Sequence, residues 1–229
     1  MLITSDFDGT ISRADGLKMI LDHFVGPEWR PLEEAMKNGD LPERQGLRVC
    51  MSLLKASHDE VLQFLLSNLK LDSSFSHFVQ WAQSAGHRLV ILSSGFEEFI
   101  GPVLARDGLE GIEVWANSVV WDGESWNVRE RSGPRLCEAQ SHCKCSSILK
   151  LKRSDDQVVF IGDGHSDRCA VKKADHVFAK TWLADFCSQE QIQYRPYRNF
   201  VDVARQLRES TVVKQSQIKS DIRIPSRHG

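Results

Sequence analysis

Three apolar runs, each breaking at its end into a loop of carboxylates, hydroxyls and glycine, constrain this chain more than any other feature. Met1 to Ser5 runs into Asp6-Phe7-Asp8-Gly9-Thr10, Arg88-Leu89-Val90-Ile91-Leu92 into Ser93-Ser94-Gly95, and Gln157-Val158-Val159-Phe160-Ile161 into Gly162-Asp163-Gly164. Short runs that are apolar throughout, rather than alternating, are what strands buried on both faces require. A further run, His176-Val177-Phe178-Ala179, reads as a last core strand. Ile112 to Val128 alternates around Asp122-Gly123 and reads as a hairpin. Helical stretches are expected from Phe96 to about Ala105, from Ser146 to Leu151 and from Ala170 to Ala174. This alternation predicts an α/β fold with a doubly wound parallel sheet. Ligands of such sheets sit beyond the carboxyl ends of the strands, where all three polar loops fall.

Between the first two strands the pattern changes. Met19-Ile20, Phe24, Leu53-Leu54, Val61-Leu62, Phe64-Leu65-Leu66 and Phe78-Val79 recur at helical spacing. Breaks near Gly26-Pro27, Gly39-Asp40 and Ser57-His58 divide the stretch into three or four expected helices. The expected organisation is therefore a core domain from residues 1–14 and 85–208, with a helical cap, 15–84, inserted after the first strand. Residues 209–229 are polar and aperiodic and are expected to be a disordered tail.

The formal charge of −2 offers no general attraction for nucleic acid or an anionic membrane. No run is long and apolar enough to span a bilayer. Asp6 and Asp8 arrive too early for an export signal, so a soluble cytoplasmic protein is expected. Nothing in the pattern sets an oligomeric state. Cys137, His142, Cys143 and Cys145 lie close in sequence and are all possible zinc ligands. They lack a C-x-x-C pair, however, and His142 abuts Cys143, so free thiols are expected there.

Taken singly, the polar residues of the loops have ordinary readings. An Asp in a strand-to-helix loop is often a cap, and Asp8-Gly9 is often only a turn. Together they are harder to dismiss, because carboxylates converging at one sheet edge repel unless a cation and a substrate organise them. Mg²⁺ is held by one or two carboxylates with waters and phosphate oxygens. Asp6 and Asp163 supply such oxygens, with a carbonyl from the Asp8 turn. Phosphoryl transfer also needs charge on the equatorial oxygens neutralised. Lys144 supplies a cation for that, Ser93 a hydroxyl, and the amides near Phe7 and Ser94 further donors. A carboxylate nucleophile splits hydrolysis into two steps through an acyl phosphate, and Asp8 is placed to protonate the leaving alcohol and then deprotonate water.

Asp6-Phe7-Asp8-Gly9-Thr10, Ser93-Ser94-Gly95, Lys144 and Gly162-Asp163-Gly164-His165-Ser166-Asp167 resemble, in order, the signature motifs of the haloacid dehalogenase-like superfamily. The resemblance implies Asp6 as nucleophile and Asp8 as general acid and base. It places Ser93, Ser94 and Lys144 on the phosphoryl group, Asp6, the Asp8 carbonyl and Asp163 on Mg²⁺, and Asp167 behind the metal. Asp8 marks the members that hydrolyse phosphate esters, so the implied partner is a small-molecule phosphate ester. The insert is similar to the cap of the phosphoserine phosphatase branch. Asp15, Pro27-Glu28-Trp29, Cys143-Lys144, Pro196-Tyr197 and Phe200 resemble the methionine-salvage phosphatases of that branch, which act on a hydroxyketo-methylthiopentenyl phosphate. The chain departs from that family in two ways: Ser94 stands where glycine is usual, and the family's cysteine cluster is only partly present.

Specificity is expected from the cap, with Asp15, Glu28, Trp29, Arg44 and Arg48 as candidates. Trp29 has a second reading as cap core, and Arg44 and Arg48, at i, i+4, as a solvated face. Phosphoserine and sugar or polyol phosphates are the alternative esters. Two other classes compete. A phospho-accepting switch domain also gathers acids, a hydroxyl and a lysine on such a sheet, but its accepting Asp ends the third strand and it has no insert. A capped binding protein without activity fits poorly, since every expected catalytic side chain is present.

Overall fold

Each of the three apolar runs is a strand, and they lie side by side. In the computed structural model, which describes residues 1–131 and 136–221 (the stretch 211–221 by its backbone only), a single seven-stranded sheet forms the centre. Its strands are β1 (Leu2–Ser5), β2 (Arg88–Phe96), β3 (Glu113–Trp121), β4 (Trp126–Arg129), β5 (Val158–Gly162), β6 (His176–Ala179) and β7 (Arg195–Pro196), in the order β4-β3-β2-β1-β5-β6-β7. All neighbours are parallel except β3 and β4, the expected hairpin. The chain moves outward from β1 to β2 and β3, then returns to β5 on the other side of β1. The reversal puts the topological switch point at the end of β1, where Asp6 begins.

Successive residues of the central strands point to opposite faces, and both faces are covered. On one side Ile3, Ile91, Val159 and Ile161 pack with α6 (Glu97–Arg106), α5 (Phe75–Ser84) and α9 (Phe200–Asp221). On the other, Leu2, Val90, Leu92, Val158 and Phe160 pack with α7 (Lys144–Leu151) and α8 (Thr181–Gln189). This two-sided burial is why the strands read as continuous apolar runs. β2 continues past Leu92, with a register shift against β3 between Leu92 and Phe96. That irregularity carries Ser93, Ser94 and Gly95. β7, α8 and α9 carried no clear signal; β7 is two residues long and contains Pro196, which fits an edge strand.

The insert comprises α1 (Gly16–Phe24), α2 (Arg30–Asn38), α3 (Glu43–Leu53) and α4 (His58–Asn68). Asp15 caps α1 by accepting from Lys18 N, and Ser57 with Glu60 forms a capping box on α4. α5, which the sequence groups with the insert, covers the sheet: Phe75 and Phe78 pack against Phe200, at ring centroid separations of 4.8 and 5.0 Å. Several ties hold the insert to the core. The Arg106 guanidinium donates to the carbonyls of Leu66 and Leu69 at 2.7 and 2.8 Å, and Trp126 Nε1 donates to the Ala56 carbonyl at 2.9 Å. α9 carries the chain past Arg208, where the sequence reading ended regular structure. The remainder of that expected tail, 222–229, lies outside the described residues. No described helix is long and apolar enough to cross a membrane.

Candidate active site

At the mouth of the switch point the loops after β1, β2 and β5 meet the first residue of α7. Asp6 follows β1 directly, its backbone N–H donating to the Ile161 carbonyl of β5 at 2.9 Å. Its Oδ1 accepts from the Phe7 amide at 2.7 Å and lies 2.7 Å from Lys144 Nζ. Lys144 is fully buried and also pairs with Asp167 Oδ1 at 2.6 Å. The other Asp167 oxygen accepts from the amides of Asp163 and Gly164, both at 3.0 Å. Asp163 Oδ1 accepts from the Thr10 hydroxyl at 2.7 Å. One lysine thus stands between two carboxylates, and a third carboxylate is tied to the first loop.

Gly9 is required by this closeness. Its φ is +74°, and a Cβ there would sit 2.5 Å from Asp163 Oδ2. A side chain would be strained by the backbone and would push the β1 and β5 loops apart.

Asp8 is set differently. Its Oδ1 accepts from the Gly16 amide at the start of α1, at 2.8 Å, and its Oδ2 faces the Ser93 hydroxyl at 3.5 Å. Ser93 Oγ in turn accepts from the Gly95 amide at 2.9 Å. Ser94 Oγ is buried and has no hydrogen-bond partner among the described residues. A buried hydroxyl of that kind is unusual in a native fold and points to a polar guest. Behind this loop His142 acts as a strut, its Nδ1 2.7 Å from the Ser93 carbonyl and its Nε2 2.7 Å from the Ser147 hydroxyl. A carbonyl only accepts, so Nδ1 carries the hydrogen and Nε2 accepts from Ser147.

The electrostatics follow from burial and like charge. Burial, then the Asp167 charge, raise Asp6 well above the ordinary carboxylate range against the pull of Lys144. Burial, then Asp15, raise Asp8 to about 7, with the Gly16 amide opposing. Burial, then Asp167, raise Asp163 to about 6. Burial alone would lower the Lys144 ammonium, but Asp167 and Asp6 hold it above its usual value. Burial lowers His142 to about 4, which keeps the strut neutral. An acid poised near neutrality beside one that is paired with a lysine separates two roles by environment.

The specificity candidates are scattered. Asp15 caps α1 and pairs with Lys18, yet is near enough to raise Asp8. Trp29 is 2% exposed, sealed in the cap with Leu21 and Cys50, its Nε1 donating to Asp22 at 2.9 Å. Its reading as cap core is the one the packing supports. Glu28 is exposed. The Arg44 amide donates to the Ala139 carbonyl at 3.3 Å, and Arg48 pairs with Glu130 at 2.7 Å, both where α3 meets the core. Beside Asp8 lies instead an apolar pocket lined by Leu17, Ile20, Leu65, Leu69, Phe99 and Ile100. Leu17 and Ile20 stand at i, i+3 on α1, Leu65 and Leu69 at i, i+4 along α4 and its C-cap, and Phe99 and Ile100 are neighbours on α6. Such spacing reads only as core.

A phosphatase-type site at the switch point of a capped α/β sheet matches one family. The chain belongs to the haloacid dehalogenase-like hydrolases, whose sequence profile matches residues 3–172. Curated relatives narrow this to phosphatases. The 2-hydroxy-3-keto-5-methylthiopentenyl-1-phosphate phosphatase of Geobacillus thermodenitrificans is 32% identical over 220 residues, 93% of this chain and 98% of that protein. The enzyme of the same name from Bacillus mycoides is 30% identical over 215 residues, 91% of this chain and 96% of that one. Among solved structures, a phospho-aspartyl intermediate analogue of phosphoserine phosphatase superposes with a TM-score of 0.71 at 19% identity, covering 90% of this chain and 97% of that one. A substrate-bound phosphoserine phosphatase gives 0.70 at 20% identity, with the same coverage. The fold and the enzyme class expected from the motifs are therefore correct: this is a phosphatase.

Proposed function

We propose that the chain is a Mg²⁺-dependent phosphomonoesterase acting through Asp6 on a methylthio-keto-enol phosphate. The observation that carries the reaction is the lysine-bridged acid cluster. Asp6, Asp163 and Asp167 each bring a carboxylate oxygen within 4.8 Å of the others, with Lys144 on two of them. Hard oxygen donors at that spacing suit a hard divalent cation, and Asp6 and Asp163 are raised by burial and then by the Asp167 charge, both of which a bound cation offsets. Asp6 and Asp163 would hold the ion with the Asp8 carbonyl. Both Asp167 oxygens are already engaged, which suits an orienting role. Bound there, Mg²⁺ neutralises charge on the phosphoryl oxygens.

The chain's own groups account for the rest. Lys144 and Ser93, with the Ser94 hydroxyl, fix the phosphoryl group facing Asp6. An Asp6 oxygen attacks phosphorus, the ester P–O bond breaks, and Asp8 gives its proton to the departing oxygen. Water then attacks the same phosphorus, Asp8 takes the water's proton, and Asp6 and inorganic phosphate are released. The nucleophile is regenerated.

The choice of ester is supported by the relatives' printed activity and by the pocket lining. The apolar lining beside Asp8 suits a thioether chain once the insert moves to admit it, whereas the ammonium and carboxylate of phosphoserine would be desolvated there. Steady-state phosphate release with Mg²⁺ tests both parts. The methylthio-keto-enol phosphate is expected to exceed phosphoserine by at least about 100-fold in kcat/KM. Equal or reversed preference overturns the substrate, and uptake of a single phosphoryl group per chain without turnover overturns the reaction.

A further inference from the structure

Beside Lys144 three sulfurs gather, with that of a fourth cysteine, Cys143, at their edge. Cys145 Sγ lies 3.5 Å from Cys137 Sγ and 3.4 Å from Cys143 Sγ. The Cys145 backbone N–H donates to Cys169 Sγ at 3.4 Å. The sulfurs of Cys137, Cys145 and Cys169 all lie within 4.8 Å of one another. His142, a candidate ligand by sequence, is excluded because both ring nitrogens are engaged elsewhere. Cys169 joins from the turn that follows Asp167, distant in sequence and so unmarked by any spacing motif.

We propose that Cys137, Cys143, Cys145 and Cys169 form a four-thiolate site that binds one zinc ion. Zinc–sulfur bonds of about 2.3 Å in a tetrahedron separate the sulfurs by roughly 3.8 Å, close to the two sulfur contacts of Cys145, and the Cys143 side chain turns inward to complete the four. Backbone amides donating to sulfur, as Cys145 does to Cys169, are suited to thiolates. A disulfide joins only two sulfurs and leaves the convergence of the other pair without cause. Binding releases the thiol protons and ties the loop before α7 to the turn after β5. Lys144, between Cys143 and Cys145, and Asp167, two residues before Cys169, are then held from both sides. In this position the zinc is a positioning element and not a reactant.

The test is metal analysis of the whole protein, produced with zinc in the medium, purified under reducing conditions without chelator and dialysed against Mg²⁺. About one equivalent of zinc per chain is expected in the wild type. Cys169→Ser is expected to retain less than about a tenth of that, while Cys50→Ala, in the cap, keeps it all. Cobalt substituted into the wild type should show sulfur-to-cobalt charge transfer and tetrahedral d–d bands, a readout independent of whether any cysteine variant folds. Zinc absent from the wild type, zinc retained by Cys169→Ser, or a native disulfide between any two of the four by mass spectrometry overturns the site.

Discussion

The acid cluster and the pocket beside it meet at Asp8, yet they are built by opposite means. In the cluster four of the six carboxylate oxygens have a named partner: Asp6 Oδ1 with Lys144 and the Phe7 amide, both oxygens of Asp167 with Lys144 and two amides, Asp163 Oδ1 with Thr10. In the pocket the walls are aliphatic and aromatic carbons from α1, α4 with its C-cap, and α6, and Asp8 is the one charged side chain among the described residues that line it. Chemistry needs particular groups at particular atoms, so few substitutions preserve it. Apolar selection needs only volume, and many sequences supply that.

If this contrast is right, perturbing the two regions should give effects of different size and kind. The largest is Asp6→Asn, which keeps the shape and removes the nucleophile. Turnover should fall by roughly 10⁴-fold or more, with no burst of phosphoenzyme. Undiminished release in that variant would sink the mechanism. Next, Asp8→Asn should lose about 10²–10⁴ in kcat while Mg²⁺ binding, followed by calorimetry, is largely kept. A smaller effect is expected from Leu17→Ala. It should cost roughly tenfold in kcat/KM for the methylthio substrate and leave a small unbranched ester unchanged. Equal losses on both esters would mean that the pocket contributes to the chemistry.

The smallest effect concerns stability in the absence of metal. Asp8 is raised from 3.8 to about 7, and Asp163 to about 6. These two acids therefore keep protons that the unfolded chain has already released between about pH 4 and pH 7, and their contribution to stability falls as pH rises through that window, with His142, lowered to about 4, opposing part of it. A decline of a few degrees in melting temperature is expected between pH 5 and 7.5. Added Mg²⁺ should stabilise more at the higher pH. A melting temperature that rises over that interval contradicts the raised acids.

The same contrast explains what could be read from the residues alone. The central strands were legible because burial on both faces leaves no polar interruption, as in Val158 to Ile161. The catalytic acids were legible because each closes such a run. The pocket was not, since Leu65 and Leu69 look identical whether they face a ligand or a core. Trp29 drew attention through the Pro27-Glu28-Trp29 resemblance, but a motif does not say which way a ring points. Cys169 was missed because only the fold brings it to Cys145, 24 residues away. α8 and β7 are short and mixed in character, and their positions come from the sheet they complete.

Asp8 also holds the first amide of the cap, Gly16, at 2.8 Å. An ionised carboxylate grips an amide hydrogen more firmly than a neutral acid does. On the proposed mechanism Asp8 is ionised from the departure of the alcohol until water returns the proton, and over that interval the Gly16 amide would be held most firmly. Cap mobility followed by fluorescence should accordingly increase as pH drops below the Asp8 value near 7.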